Sequence, residues 1–430
     1  MSRFLLNVCF LLLSFVPAVA RAKPPNVLLI ISDDQTWTDF GFMGHRVIKT
    51  PHLDRLARES ALFPQGYVPS SLCRPSLATL ITGLYPHQHK ITGNDPPKGT
   101  NRKEMLKHIR RWPTLPRLLA SSGYLSHQSG KWWEGNHKLG GFTAGMTHGD
   151  PQRRGRHGDE GLKIGRQGMQ PIFDFIDGCD EKPFFIWYAP FLPHTPHNPP
   201  QRLLDKYRSD DRPIELSRYY AMCEWFDETC GELLGYLDKK RLTEETLVVF
   251  VTDNGWIQRT PMTKVPEGWR FRFAPKSKRS PYDGGVRTPI MLKWPGKITP
   301  GRYQTLVNSI DLAPTILAAA GLEPTAEMPG INLLDVLKSG GKSTRNAVFG
   351  ELFAHDVVNI DEPAPGLQYR WCREKNWKII LPAEKSQPVE LYDLSTDPHE
   401  TKNVAAEHPQ IVARLSKLTN DWWPVKTGSP

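Results

Sequence analysis

Two pairs of oxygen-bearing side chains carry the first chemical signal in this chain, Asp33 with Asp34 and Asp253 with Asn254. Adjacent carboxylates repel and raise each other's pKa unless a cation neutralises them. A set of oxygen donors without thiolate or imidazole favours calcium or magnesium over zinc. Each pair alone has a plainer explanation. Asp33 could cap a helix beside a solvated neighbour, and Asp253-Asn254-Gly255 is an ordinary turn sequence. A third candidate is Cys73, in residues 71–83 (SLCRPSLATLITG). The chain has six cysteines, of which Cys9 lies in an apolar amino-terminal run. The other five, Cys73, Cys179, Cys223, Cys230 and Cys372, are too few for a disulfide scaffold and odd in number for an oxidising compartment, so one should have a separate task. An isolated Cys-x-Pro would say little, because buried inert cysteines are commoner than reactive ones.

The elements that must position these residues can be read from apolar patterning. Residues 26–32 (NVLLIIS) form a continuous Val/Leu/Ile-rich run that ends at Asp33 and Asp34, as expected of a strand buried on both faces. Residues 182–189 (KPFFIWYA) and 246–252 (TLVVFVT) read the same way, with a helical pattern over 215–237 between them. Strands alternating with helices predict an α/β fold with a mostly parallel, doubly wound sheet, in which ligands bind beyond the carboxyl ends of the strands. Asp33, Asp34, His194, Asp253 and Asn254 then fall on one rim, which favours a shared cation over separate local explanations. Residues 140–168 and 256–281 read as long loops. The second places Trp256, Trp269 and Phe271 among Arg270, Arg272, Lys276 and Lys278, a wall whose aromatic faces suit ring stacking and whose cations suit anionic groups. The alternative is a basic surface loop with its aromatics in the core. From about residue 345 the pattern shifts to short strands at 347–353, 368–373, 377–381 and 390–394, then a helix at 409–422. This predicts a smaller α+β carboxyl-terminal subdomain at 346–430 after a catalytic domain at 23–345.

Arg3 precedes the apolar run 4–15, and Ala18, Ala20 and Ala22 follow it, the pattern of a cleavable signal peptide over 1–22. The expected location is secreted or periplasmic; the run is short for a bilayer span. The remaining chain is long enough, at 39% apolar residues overall, to fill a sizeable core. The formal charge of +10 suits an anionic substrate and equally a solvated basic surface. No reading helix or aromatic sheet for nucleic acid is evident.

The segment around Cys73 resembles the signature of the sulfatases through Cys73, Pro75, Ser76, Thr82 and Gly83. Further motifs similar to that family follow in order. They are Asp33-Asp34 at a strand end, Thr50-Pro51-His52-Leu53-Asp54, Gly130-Lys131-Trp132, Pro193-His194-Thr195-Pro196, Thr252-Asp253-Asn254-Gly255 and residues 282–289 (YDGGVRTP). A tail with Leu391-Tyr392-Asp393-Leu394, Asp397-Pro398 and Glu400 completes the match. The resemblance implies an alkaline-phosphatase-like fold and a sulfuric ester hydrolase acting on a sulfated carbohydrate or related ester. It implies that a formylglycine-generating enzyme oxidises Cys73 to formylglycine, whose hydrate is the nucleophile. One Ca2+ would be held by Asp33, Asp34, Asp253, Asn254 and the residue formed from Cys73. Lys131, His194 and Lys278 would surround the sulfate, and His194 or Lys278 would protonate the leaving oxygen. His87, His89 and His197 are expected to be structural or rim residues.

Two positions depart from the family pattern. Leu77 stands where the family has Arg, and Trp133 where it has His. Neither replaces a polar support fully, since indole offers one donor. The departures keep open a sulfated-glycan-binding protein without turnover, and the fold alone keeps open a phosphodiester or phosphonate hydrolase. Asn254, where a two-zinc hydrolase of this kind would place histidine, favours one hard cation. A paired change, with Leu77 and Trp133 packing together as an apolar support, would reconcile the departures with catalysis.

Overall fold

The computed structural model describes residues 23–149, 155–256 and 276–425. The region 1–22, where the signal peptide is expected, and Trp269, Arg270, Phe271 and Arg272 lie outside the described residues. The main sheet contains β1 (Asn26–Ser32), β2 (Ala61–Tyr67), β3 (Leu125–Gly130), β4 (Ala144–Gly145), β5 (Phe184–Ala189), β6 (Thr246–Thr252), β7 (Arg287–Lys293), β8 (Gly301–Arg302) and β9 (Val307–Asn308). Its order is β4-β3-β5-β1-β6-β7-β2-β8, with β9 paired to β2. Only β7 runs against its neighbours, antiparallel to both β6 and β2. The expected mostly parallel α/β sheet is therefore present.

The period of two along each strand sends alternate side chains to opposite faces. Val27, Leu29 and Ile31 enter one core with Phe185, Trp187, Val249 and Val251. Leu28 and Ile30 enter the other with Ile186, Tyr188 and Phe250. Helix Ile214–Lys239 covers the second face through Met222, Phe226, Cys230, Leu233 and Leu237, one stripe at three- and four-residue spacing. Helix Cys73–Thr82 lies on the first face, and all ten of its residues are buried.

Strands β2, β3 and β7 were not expected from apolar patterning. Pro64 and Gly66 interrupt β2, Arg287 and Pro289 open β7, and β3 reads LSHQSG. Several of its buried polar residues are satisfied by the loop beyond and by the neighbouring strand β5. Ser126 exchanges hydrogen bonds with Thr143, Gln128 Oε1 accepts from Thr147 N, and Ser129 Oγ donates to the Trp187 carbonyl. The span 140–168, expected as a loop, thus contributes the edge strand β4 and a short helical turn at Asp159–Lys163.

The second sheet is antiparallel, in the order β10 (Ala347–Phe353), β11 (Leu367–Glu374), β12 (Trp377–Pro382) and β13 (Glu390–Asp393). One face packs under helix Pro409–Trp422 through Cys372, Ile379, Leu391 and Leu415. The other presents Val348, Trp371, Ile380 and Tyr392 to the core of the main sheet. Between the sheets lies a buried charge cluster. Lys378 Nζ donates to Asp283 Oδ1 at 2.8 Å and lies 2.9 Å from Glu400 Oε1. Tyr67 donates to Asp283 Oδ2 at 3.0 Å, and the Asp283 amide donates to Glu400 Oε2 at 2.6 Å.

Candidate active site

Sheet register brings the acidic residues together. Ser32 is paired with Thr252, so the next residues, Asp33 and Asp253, leave adjacent strands at one rim. Asp253 N donates to the Ser32 carbonyl at 2.9 Å. Gly130 is likewise paired with Ala189, which places Lys131 on that rim. Gly130 has φ +85°, and a Cβ there would lie 1.9 Å from the Ala189 carbonyl oxygen. Only glycine allows this turn, so Lys131 depends on it for its direction.

Cys73 opens the buried helix Cys73–Thr82, which ends at Gly83 in the left-handed conformation. Its Sγ lies 3.8 Å from Asp34 Oδ1 and 2.9 Å from Lys278 Nζ. Lys131 Nζ is 2.5 Å from Asp33 Oδ1 and 3.9 Å from Asp253 Oδ2, while Lys278 also donates to Asp34. His194 Nδ1 donates to the Thr195 carbonyl at 2.6 Å, its Nε2 lies 3.4 Å from Asp34 Oδ2, and its ring stacks on Phe191 at 4.2 Å. One donor atom each from Asp33, Asp34, Cys73 and His194 fits within 4.8 Å of the others. The structure thus gathers Asp33, Asp34, Cys73, Lys131, His194, Asp253, Asn254 and Lys278 at one place.

Burial dominates the electrostatics. It pushes Asp33 well above the ordinary carboxylate range, with Lys131 the chief opposing charge, and raises Asp253. Asp34 moves the other way: burial opposes its charge, but Lys278 and His194 outweigh it. The Cys73 thiol is pushed up to about 12 by burial despite the two lysines. For Lys131 burial works against the charge and Asp33 more than restores it. Burial also drives His194 well below the ordinary histidine range.

Three buried oxygens, Asp33 Oδ2, Asp253 Oδ2 and Asn254 Oδ1, have no hydrogen-bond partner among the described residues. Buried oxygens without donors are costly, and three from adjacent strand ends form a set that a hard cation would satisfy. The residues present therefore fit Ca2+, with Asp33, Asp34, Asp253 and Asn254 as the oxygen donors. His194 is the poorer ligand for such an ion.

Several supporting residues were not evident from sequence. Arg74, next to Cys73, is buried and forms a two-point pair with Glu134, Nε to Oε1 at 2.6 Å and Nη2 to Oε2 at 2.9 Å. It also donates to the carbonyls of Gly93 and Met105. This locks the start of the Cys73 helix to the segment that carries Lys131. Arg166 donates to the Phe191 and His194 carbonyls and so holds the His194 loop. An arginine beside the cysteine and a glutamate three residues after the lysine were visible in sequence, but their pairing was not. Leu77 and Trp133 are both buried in the same core. His87 pairs with Glu351 and His89 with Thr79, as structural residues do. In the segment 256–281, Trp256 stacks on Tyr219 at 3.8 Å, and Lys276 donates to the Glu400 carbonyl and lies 4.1 Å from the Tyr282 ring. Trp256 therefore lies in the core, where the alternative reading of that loop puts its aromatics. The five cysteines from Cys73 onward are buried free thiols.

Comparison with known proteins decides the family. The sulfatase family model matches residues 25–322, more than half of the chain. The chain belongs to the sulfatase family. A second model, for the carboxyl-terminal region of N-sulphoglucosamine sulphohydrolase, matches residues 273–422. This sulfatase is 29% identical to arylsulfatase A of Homo sapiens over 95% of its own length and 89% of the relative's. It is 31% identical to N-acetylgalactosamine-6-sulfatase of Homo sapiens, over 75% and 67% respectively. Among solved structures, PsFucS1 sulfatase from Pseudoalteromonas sp. aligns with a TM-score of 0.69 at 21% identity over 94% of this chain and 91% of that one. Phosphonate monoester hydrolase of Agrobacterium radiobacter also aligns at 0.69, with 20% identity over 93% and 95%. At such identities the structural likeness shows the fold alone. With family, fold and site together, the chain is a catalytic sulfatase whose clustered Asp33, Asp34, Cys73 and His194 match a calcium-dependent, formylglycine-using active site.

Proposed function

We propose that this sulfatase removes sulfate from a sulfated carbohydrate, with Cys73 converted to formylglycine as the nucleophile. The observation that carries the reading is the arrangement around Cys73. Two buried lysines and three unpartnered oxygens converge on a side chain that is inert as a thiol. The Cys73 Sγ stands in for the hydrated aldehyde oxygens of the matured residue. Ca2+, when bound, neutralises the three carboxylates and favours the charged form of the nucleophile. Lys278 orients the nucleophile and Lys131 holds Asp33. The same ammonium groups stabilise the negative charge that grows on the sulfate and leaving oxygens as the ester bond breaks. Lys278, an ammonium beside Cys73, carries a proton that can be returned to the leaving alcohol. Relatives named for hexosamine 6-sulfates support a carbohydrate substrate.

Sulfate release from a panel of sulfated mono- and disaccharides tests the activity, and it should vanish in Cys73→Ala. Retained turnover in that variant would sink the assignment. An aldehyde-reactive probe on natively produced protein, mapped by peptide mass spectrometry, should mark position 73, and recovery of only the free thiol there would favour binding without turnover. Calcium in place of zinc in the purified protein separates this reading from a two-zinc hydrolase. The proposal includes export, which rests on the amino-terminal sequence pattern; amino-terminal sequencing of the mature protein should begin near Arg21 or Lys23.

A further inference from the structure

Trp133 replaces the histidine of the family pattern, and what surrounds it is unusual. Lys131 Nζ lies 6.0 Å from its ring centroid, and the Arg156 and Arg102 guanidinium carbons lie 5.1 Å and 5.7 Å away. Three cations therefore share one buried indole. Both arginines bind the same carboxylate. Arg156 Nε donates to Asp95 Oδ1 at 2.6 Å and its Nη2 to Oδ2, while Arg102 Nη2 donates to Asp95 Oδ1 and to the Asn94 carbonyl.

Among the described residues, Asp95 is the carboxylate hydrogen-bonded to both guanidiniums, and nearby Asp356 Oδ1 is taken by His355 Nδ1 at 2.6 Å. Two buried donors, Arg102 Nη1 and Trp133 Nε1, have no hydrogen-bond partner among the described residues. Burial pulls the Arg102 pKa down with Asp95 only partly opposing it, while the hydrogen bond to Asp95 raises that of Arg156. Asp95, His355 and Asp356 have the atom types of a cation site. Two guanidiniums already occupy Asp95, so the absent partner is an acceptor with negative charge.

The cluster adjoins the nucleophile. Asn94 Oδ1 accepts the backbone N–H of Arg74, the residue after Cys73, at 3.0 Å. It is also open to solvent, since the Arg156 side chain is 43% exposed. Trp133 is 3% exposed, so it cannot be a platform for a sugar face. It can hold the guanidinium groups and offer Nε1–H.

We propose that Arg102, Arg156 and Trp133 form a second anion subsite beside the cleaved ester. It takes a further sulfate or a carboxylate carried by the substrate. The proposal rests on the sulfatase reading of Cys73 and adds that the preferred substrate bears at least two anionic groups. Leu77 and Trp133 then mark a pocket re-equipped for such a substrate, with its positive charge supplied from Arg102 and Arg156.

The test is a ratio. Sulfate release is measured on 4-nitrophenyl sulfate, on a sulfated uronate-containing disaccharide, on the same disaccharide with its carboxylate reduced to an alcohol, and on a doubly sulfated disaccharide. The ratio of kcat/KM for a doubly anionic substrate over its singly anionic counterpart should fall by at least about tenfold in Arg156→Gln, mostly through KM, and recover in part in Arg156→Lys. Loss confined to the uronate identifies a carboxylate subsite, and loss confined to the doubly sulfated sugar a sulfate subsite. A ratio that moves less than about twofold in both Arg156→Gln and Arg102→Gln overturns the proposal. If the wild-type protein turns over nothing, the sulfatase reading fails separately. Calorimetric binding of the doubly anionic disaccharide, expected to weaken at least about tenfold in Arg156→Gln, then decides the subsite alone, and equal affinity overturns it.

Discussion

Two buried charge clusters in this molecule solve the same electrostatic problem in opposite ways. Between the sheets, Asp283 and Glu400 surround Lys378, and Tyr67 and the Asp283 amide fill further positions on the two carboxylates. At the rim, Asp33, Asp34 and Asp253 face Lys131 and Lys278, yet three oxygens are left without donors. The first cluster holds two sheets together with groups the chain itself supplies, leaving only Glu400 Oε1 without a hydrogen bond among the described residues, and that oxygen has the Lys378 ammonium 2.9 Å away. The second stays incomplete, and an incomplete buried cluster is a site for something that arrives from outside.

Substitutions should separate the two. The largest effect is expected from Lys131→Met, which should lower kcat/KM for sulfate release by about 100- to 1,000-fold, the scale of losing one preorganised charge partner, while the calcium-loaded protein stays folded. Activity within about tenfold of wild type would remove Lys131 from the machinery. Lys378→Met should do the reverse. It leaves Asp283 and Glu400 without their shared ammonium and should cost about 3–5 kcal/mol in denaturant unfolding, with the KM of the remaining folded enzyme unchanged. A loss under about 1 kcal/mol would show that the intersheet cluster is not a clamp.

Calcium removal should reach only the rim. At a calcium concentration of 100 to 1,000 times Kd, the ion contributes about 3–4 kcal/mol, so a chelator should lower the melting temperature of wild type. Asp253→Asn should reduce that shift and Lys378→Met should preserve it. A melting temperature indifferent to chelator in wild type would break the comparison.

The smallest effect is a pH dependence in the closed cluster. Burial, with Asp283 adding and Lys378 opposing, raises Glu400 from 4.5 to about 7. An acid whose folded pKa is raised contributes stability that is complete below its unfolded value, here about 4.5, and is lost as pH rises through about 7. Wild type should therefore lose at most about 3 kcal/mol across that window through this group, and Glu400→Gln should flatten the slope. An unchanged slope in unfolding free energy between pH 4.5 and 7 would assign the dependence elsewhere.

Much of this molecule was determined by sequence alone. Strands 26–32 and 246–252 and helix 409–422 have the observed bounds, because a fully buried strand must be apolar throughout and an amphipathic helix must repeat its apolar face. The residues that end those strands, with Cys73, Lys131, His194 and Lys278, were legible as motifs. Tertiary structure decided what local pattern does not encode. Strand β3 is polar and was invisible, because the loop after it satisfies Ser126 and Gln128 and the neighbouring strand β5 satisfies Ser129. Arg74 and Glu134 lie sixty positions apart and meet only when the Cys73 helix docks beside the end of β3. Trp133 read as the loss of a polar support; in the fold it is the surface around which Lys131, Arg102 and Arg156 gather. Hydrogen bonds and charge partners are pairwise and long-range, so their assignment waits on the docking of elements that apolar periodicity can only name.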